Sequence, residues 1–259
     1  MTKNFLDIFK KNIYISYILG FQDIQSRYRR STIGPFWLTI SMGVTVSIIA
    51  FVFGRLFNTP LEEYLPFLAS GLILWIFFTS SILEGSLCFI ESESMIKELD
   101  ISFITYVLRV LWRNLLILAH NIVIIPFVFL FTGKDFTLFI LLVVPGLFFV
   151  TFFLGWVSIL LAIICSRYRD VHQIISSLLN VIFYLTPILW IPSQLSIHAE
   201  LTFINLNPFY HMLELIRSPL LGKLPTAANY IIVFFINILG FLLTYKIFIR
   251  FRNKIIYWL

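Results

Sequence analysis

Arg27-Tyr28-Arg29-Arg30-Ser31-Thr32-Ile33-Gly34-Pro35-Phe36-Trp37 is the stretch on which the fold turns. Three arginines are followed by a turn-forming Gly-Pro pair and two aromatics. A long apolar run begins at the same point. Cations just outside an apolar run, with aromatic rings at its edge, mark the entry to a membrane span. A hinge of this composition is suited to holding an anionic headgroup beside a span.

Upstream, residues 4–28 read as a helix. Leu6, Phe9, Ile13, Tyr17, Phe21, Ile24 and Tyr28 recur three and four apart as one apolar stripe. Asp7/Lys11 and Asp23/Arg27 are opposite charges four apart. Such a helix is expected to lie in the headgroup layer. Packing on other cytosolic helices is the other reading.

Downstream, six apolar runs of spanning length are expected near 33–54, 65–85, 107–131, 138–165, 173–191 and 228–249. The fourth carries Pro145, which predicts a kink or tilt. Of 259 residues, 59% are hydrophobic and only 12% charged, and mean hydropathy is +0.94. Those proportions exclude a soluble domain and point to an all-α polytopic membrane protein. The apolar residues come in continuous runs, not alternating, so a transmembrane barrel is excluded as well. Cys88 and Cys165 fall in different runs and imply neither a disulfide framework nor a metal site. The opening residues lack the h-region and cleavage pattern of a signal peptide.

Orientation follows from charge. Most of the 19 basic residues fall on one side: Lys3, Lys10, Lys11, Arg27, Arg29, Arg30, Lys97, Arg109, Arg113, Arg167, Arg169, Lys246, Arg250, Arg252 and Lys254. Arg55, Lys134, Arg217 and Lys223 fall on the other. The positive-inside rule puts both termini in the cytoplasm, in agreement with an even number of spans. The net charge of +6 is therefore read as topology, not as a nucleic-acid surface. The chain divides into a cytoplasmic interface helix and hinge (1–32), a six-helix membrane domain (33–249) and a cytoplasmic tail (250–259). Segment 192–227, rich in proline and apolar residues, is expected to form short re-entrant or interfacial helices before the last span. Within it Phe209, Met212, Leu213, Ile216 and Leu220 share one helical face.

No motif for catalysis emerges. There is no G-x-x-x-x-G-K-[ST] phosphate loop, no H-E-x-x-H pair, and the four histidines are scattered. His120 beside Asn121 reads as an interhelical hydrogen-bonding residue. Glu84, near the inner end of the second run, is expected either to pair with Arg109 or Arg113 or to mark a wet cavity. Carboxylates and histidines are nearly absent at mid-membrane depth, which argues against a proton or sodium relay. Aromatics make up 18% of the chain. A subset lining a pore would let a sugar chain slide along flat ring faces.

Tyr28–Trp37 resembles the Tyr-basic-x-Ser-x-Leu-Gly-Pro-x-Trp signature at the first span of ABC-2 type polysaccharide exporter permeases. Arg167-Tyr168-Arg169-Asp170-Val171 resembles their second cytoplasmic loop. Tyr184-Leu185-Thr186-Pro187-Ile188 resembles the end of their fifth span, and Leu206-Asn207-Pro208-Phe209 with Arg217 and Gly222 their external segment. One departure is Asp100-Ile101-Ser102-Phe103-Ile104, where the family often has a Pro-Arg step.

The resemblance implies a single ABC-2 transmembrane domain in the inner membrane. It also implies a homodimer, with two copies of a separate ATPase subunit that binds ATP and Mg, so this chain needs no cofactor or metal of its own and has no catalytic residue. The substrate implied is a polysaccharide on an undecaprenyl-pyrophosphate type lipid, passed between the two protomers. Arg27, Arg29 and Arg30 would meet the pyrophosphate. Phe36, Trp37, Phe183 and Tyr184 would line the channel. Glu91, Glu93, Lys97 and Glu98, with Arg167, Arg169 and Asp170, would couple to the ATPase. Pro187, Asn207, Pro208, Phe209 and Arg217 would form the external gate. O-antigen is the glycan favoured. Capsule, teichoic acid, or a drug or small lipid are alternatives on the same fold. A membrane-embedded glycosyl- or phosphotransferase is the reading in another class, its only acidic pairs being Glu91/Glu93 and Glu98/Asp100.

Overall fold

The computed structural model describes residues 5–29, 33–34, 36–99, 101–192 and 204–259, and every regular element in them is helical. In chain order these are α1 (Phe5–Tyr28), α2 (Phe36–Leu56), α3 (Leu61–Glu91), the short α4 (Glu93–Glu98), α5 (Phe103–Ile122) and α6 (Ile124–Thr132). A 3-10 turn (Leu138–Leu142) then leads into α7 (Val143–Arg167), α8 (Val171–Leu185), α9 (Pro208–Leu220) and α10 (Ala227–Trp258). Among the described residues five stretches are long and apolar enough to cross a bilayer: Phe36–Leu56, Leu61–Glu91, Phe103–Thr132, Leu138–Arg167 and Ala227–Trp258.

The bundle is built around α3. It packs on α2, α5, α6, α7, α8 and α9, and 78% of its most apolar window is buried, against 17% for α2. Helices in lipid gain little from hydrophobic contact and associate through close packing. Gly85 shows this: a Cβ there would collide with the side chain of Ser158 on α7. Ser158 Oγ donates back to the Ser81 carbonyl at 3.2 Å.

The helix limits differ from the apolar runs for local reasons. α3 continues past residue 85 to Glu91, so the connection expected over 86–106 shrinks to residues 92–102. Thirty-one residues make roughly 46 Å of helix, well beyond the ~30 Å hydrocarbon core. The third run breaks at Val123, because Pro126 has no N–H for the Ile122 carbonyl. Pro145 was expected to kink or tilt the fourth run. It falls instead in the first turn of α7, where a missing N–H costs nothing. The fifth run, 173–191, is the largest departure. α8 has only 15 residues, roughly 22 Å, and stops where Thr186 turns extended ahead of Pro187. The last helix runs on through residues 250–258, so the expected tail is helical, with Ile255 fully buried.

The bundle has two ends. The Arg167 guanidinium lies 5.4 Å over the Trp258 ring, so α7 and α10 finish together. α10 therefore starts at the opposite end. α8 leaves the Arg167 end, and the Pro187 carbonyl just beyond it accepts a hydrogen bond from Arg217 of α9. Leu215 of α9 in turn lies against Gly146, at the start of α7. Between Arg167 and Ala227 the chain thus traverses the length of the bundle. The face of α9 read from the sequence is the one turned inward: Met212, Leu213, Ile216 and Leu220 are buried and Phe209 is half-buried.

Candidate functional site

At the end where α1, α3 and α5 meet, the charges form one connected set. Asp23 turns away from Arg27, its expected partner, toward α5. Its carboxylate accepts from Arg109 Nε at 2.8 Å and Nη2 at 2.5 Å, and from Arg113 Nη1 at 2.9 Å. Arg113 Nη2 donates to Glu84 at 2.9 Å, and Asn114 Nδ2 donates to the same oxygen at 2.6 Å. The other oxygen of Glu84 is 3.8 Å from Arg27 Nη2. Arg113 thereby ties α1 to α3 through α5. Of the alternatives for Glu84, the structure selects pairing, with Arg113 rather than Arg109. Burial opposes the charge on Asp23, but hydrogen bonds from Arg109 and the charges of Arg109 and Arg113 outweigh it and hold the carboxyl below its usual range.

Arg27 and Arg29 remain exposed beside this set. Arg30 lies outside the described residues, as do Ser31, Thr32 and Pro35 of the hinge. Gly34 takes φ +62°, a left-handed conformation that glycine enters without cost, two residues ahead of α2. Past it Phe36 and Trp37 are both exposed. The Phe36 ring stands edge-on to His120 at 6.1 Å. His120 itself bonds within its own helix, Nδ1 to the Leu116 carbonyl at 2.7 Å. The interhelical link expected of it is made by its carbonyl, which accepts from Thr39 Oγ1 at 3.1 Å.

The same end carries α4. Glu93 and Lys97 pair across one turn at 2.6 Å. The Lys97 hydrogen bond and charge hold Glu93 below the ordinary carboxylate range, and the Arg169 charge acts in the same direction. The α4 segment and the Arg167–Asp170 turn are therefore electrostatic neighbours. Arg167, Arg169, Asp170, Glu91 and Glu98 are exposed. Asp170 stands at the N-terminus of α8 without a side-chain capping bond. Asp100 lies outside the described residues.

The opposite end is closed by polar side chains taken out of solvent. Arg217 is 1% exposed. Its guanidinium bonds Glu214, donates to the Pro187 carbonyl at 2.5 Å and lies 4.2 Å over the Phe67 ring. Ser218 donates to Glu214 as well. Asn207 caps α9 by accepting from Phe209 N at 3.0 Å, ahead of Pro208 at the first helical position, and its amide donates to Thr186 Oγ1 at 2.8 Å. His211 sits between Asn229 Oδ1 at 2.8 Å and the Asn205 carbonyl at 2.9 Å. Arg217 thus meets Pro187 and Asn207 meets the adjoining Thr186, while the Phe209 ring packs on Trp75. Residues 193–203 of the expected gate segment lie outside the described residues.

The four aromatics named for a channel do not meet within the chain. Phe36 and Trp37 open α2, whereas Phe183 and Tyr184 close α8 near the far end. Phe183 packs on Trp75 at 5.7 Å, and Trp75 packs on Phe209 at 5.7 Å; Tyr184 is exposed. Among the described residues no three His, Cys, Asp or Glu side chains group as a metal site requires.

Sequence reasoning missed the tertiary role of Asp23. The signal was there. Arg109 and Arg113 are like charges one turn apart on a helix, which repel unless a carboxylate faces both.

The sequence model of the ABC-2 type transporter family matches residues 16–221. The O-antigen export system permease protein RfbA of Klebsiella pneumoniae is 28% identical over 243 residues, covering 90% of this chain and 91% of that protein. A second Klebsiella pneumoniae protein of the same name is 27% identical over 173 residues, covering 65% of this chain and 66% of its own.

Proposed function

Because the chain belongs to the ABC-2 type transporter family, we propose that it is the inner-membrane subunit of an ATP-driven exporter of lipid-linked polysaccharide. The glycan rides on an undecaprenyl-pyrophosphate type lipid, and O-antigen is the glycan favoured. The observation that carries this reading is the likeness to an O-antigen export permease over nine-tenths of both chains. The motor is a separate ABC ATPase subunit, present in two copies; this chain is a conduit and not an enzyme.

Six spans complete the topology, with α8 and the turn after it as the fifth. The chain has to return to the far end of the bundle between Arg167 and Ala227, and α8 lies on that path. Both termini are then cytoplasmic, on the side rich in cations. Two copies enclose the channel. Support comes from the broad unpartnered apolar faces of α2 (Phe36, Ile40, Val44, Ile48, Val52) and α8 (Ile174, Leu178, Val181), faces that need lipid or protein to cover them. Phe36, Trp37, Phe183 and Tyr184 line the channel at its two levels. α4 and the Arg167–Asp170 turn contact the ATPase, the Pro187–Arg217 cluster gates the external mouth, and α1 rests at the inner interface.

Arg27, Arg29 and Arg30 receive the pyrophosphate. Their support is charge balance among the described residues: Asp23 and Glu84 are engaged closely by Arg109 and Arg113, so the loosely held Arg27 and exposed Arg29 add guanidinium charge beyond those two carboxylates. The planar fork of arginine binds phosphate oxygens two at a time. Replacing Arg29 and Arg30 by Gln is expected to abolish glycan export, measured as surface polymer, with membrane insertion and dimerisation intact. Near-normal export would refute the headgroup reading.

A further inference from the structure

We infer that Glu84 is a built-in competitor for the substrate headgroup, holding Arg27 until a lipid pyrophosphate draws it away and so reporting occupancy to α3 and α4. This rests on the reading of the arginine hinge as a pyrophosphate site. Glu84 has two unequal allegiances. One oxygen is committed to Arg113 and Asn114 at 2.9 and 2.6 Å. The other meets Arg27 at 3.8 Å, the longest of the ion pairs in the set. Arg27 is half exposed, whereas Arg113 is nearly covered. Parting Arg113 from Glu84 would break the closer, better-covered ion pair; parting Arg27 costs less, because Arg113 still neutralises the carboxylate.

A pyrophosphate offers Arg27 more charge and paired oxygens, so the loose contact is the one that yields. The consequence runs along the backbone. Glu84 lies seven residues before the end of α3, and only Ser92 separates α3 from α4. Arg27 bound to Glu84 links the headgroup hinge to the helix that carries the ATPase-facing segment. Arg27 bound to phosphate removes that direct contact and leaves α1 and α3 joined only through Arg113 of α5.

The test is binding of two probes, undecaprenyl pyrophosphate and inorganic pyrophosphate, to the full chain in nanodiscs of neutral lipid. Glu84→Gln keeps the shape and the Asn114 contact but drops the charge. An exposed pair of this kind is worth up to about 1 kcal/mol, so Glu84→Gln should bind the lipid probe about three- to fivefold more tightly. The gain should vanish in an Arg27→Gln background. Tyr17–Trp112 fluorescence, close to wild type, controls for the seat of α1. An unchanged or weakened affinity in Glu84→Gln, or a gain that survives Arg27→Gln, overturns the inference while the hinge reading stands. Wild type that fails to bind the lipid probe overturns both. Inorganic pyrophosphate bound equally well, with the same Glu84 dependence, would make the site one for free anions and overturn its link to substrate.

Discussion

An aspartate gripped by two arginines, as Asp23 is by Arg109 and Arg113, stays charged through the physiological range. Its folded pKa lies below the ordinary 3.8. The stability it contributes is therefore complete above that unfolded value and is lost only as pH falls through the lower, folded one. Acidification from pH 8 to pH 5 should leave the α1–α5 contact unchanged, read by fluorescence of Trp112, whose ring lies 5.3 Å from Tyr17. Release is expected only below about pH 4. Asp23→Asn should cost roughly 3 kcal/mol, since the mostly covered Arg109 loses its carboxylate and Arg113 one of its two. A Tm in detergent within a degree of wild type would show that the network is not structural. Arg217→Ala should be comparably damaging, because Glu214 and the Pro187 carbonyl lose a buried donor; Arg217→Lys should rescue it only in part, keeping the charge but not the fork.

The helices were legible where they depend on composition and obscure where they depend on partners. The starts of α2 and α10 and the inward face of α9 follow from apolar spacing and from Asn207-Pro208. The ends of α3 and α10 do not. Both continue past the last apolar run because partners at that end cover them, Phe103 on Phe89 at 5.2 Å and Arg167 on Trp258. α8 ends early for a reason readable in the sequence, Pro187, and the turn that follows is held by Arg217. The hinge arginines were likewise readable, whereas the Asp23 partnership needed the approach of two helices far apart in sequence. At α4 the prediction concerns contact, not fold. Lys97→Glu places two carboxylates one turn apart on an exposed helix, so co-purification with the ATPase subunit should fall about tenfold with Tm unchanged. Undiminished co-purification would remove α4 from the proposed interface.

The whole molecule is a bundle with most of its basic residues at one end and apolar flanks left open. That sorting makes orientation measurable. Cys88 and Cys165 are buried, so a single introduced cysteine will dominate labelling in intact cells. Lys223→Cys should react with an impermeant maleimide from outside, and Lys254→Cys only after the cells are opened; the reverse pattern would invert the topology.

As proposed, this chain conducts a lipid-linked glycan past a cationic inner mouth under power from another subunit. Liposomes holding the chain and its ATPase subunit, loaded with undecaprenyl-pyrophosphate-linked glycan, test it most directly. ATP-dependent movement of glycan across the bilayer is predicted, absent for the chain alone and lost when Arg27 and Arg29 are replaced by Gln. ATP turnover by the chain on its own, or undiminished glycan movement without those arginines, would contradict it.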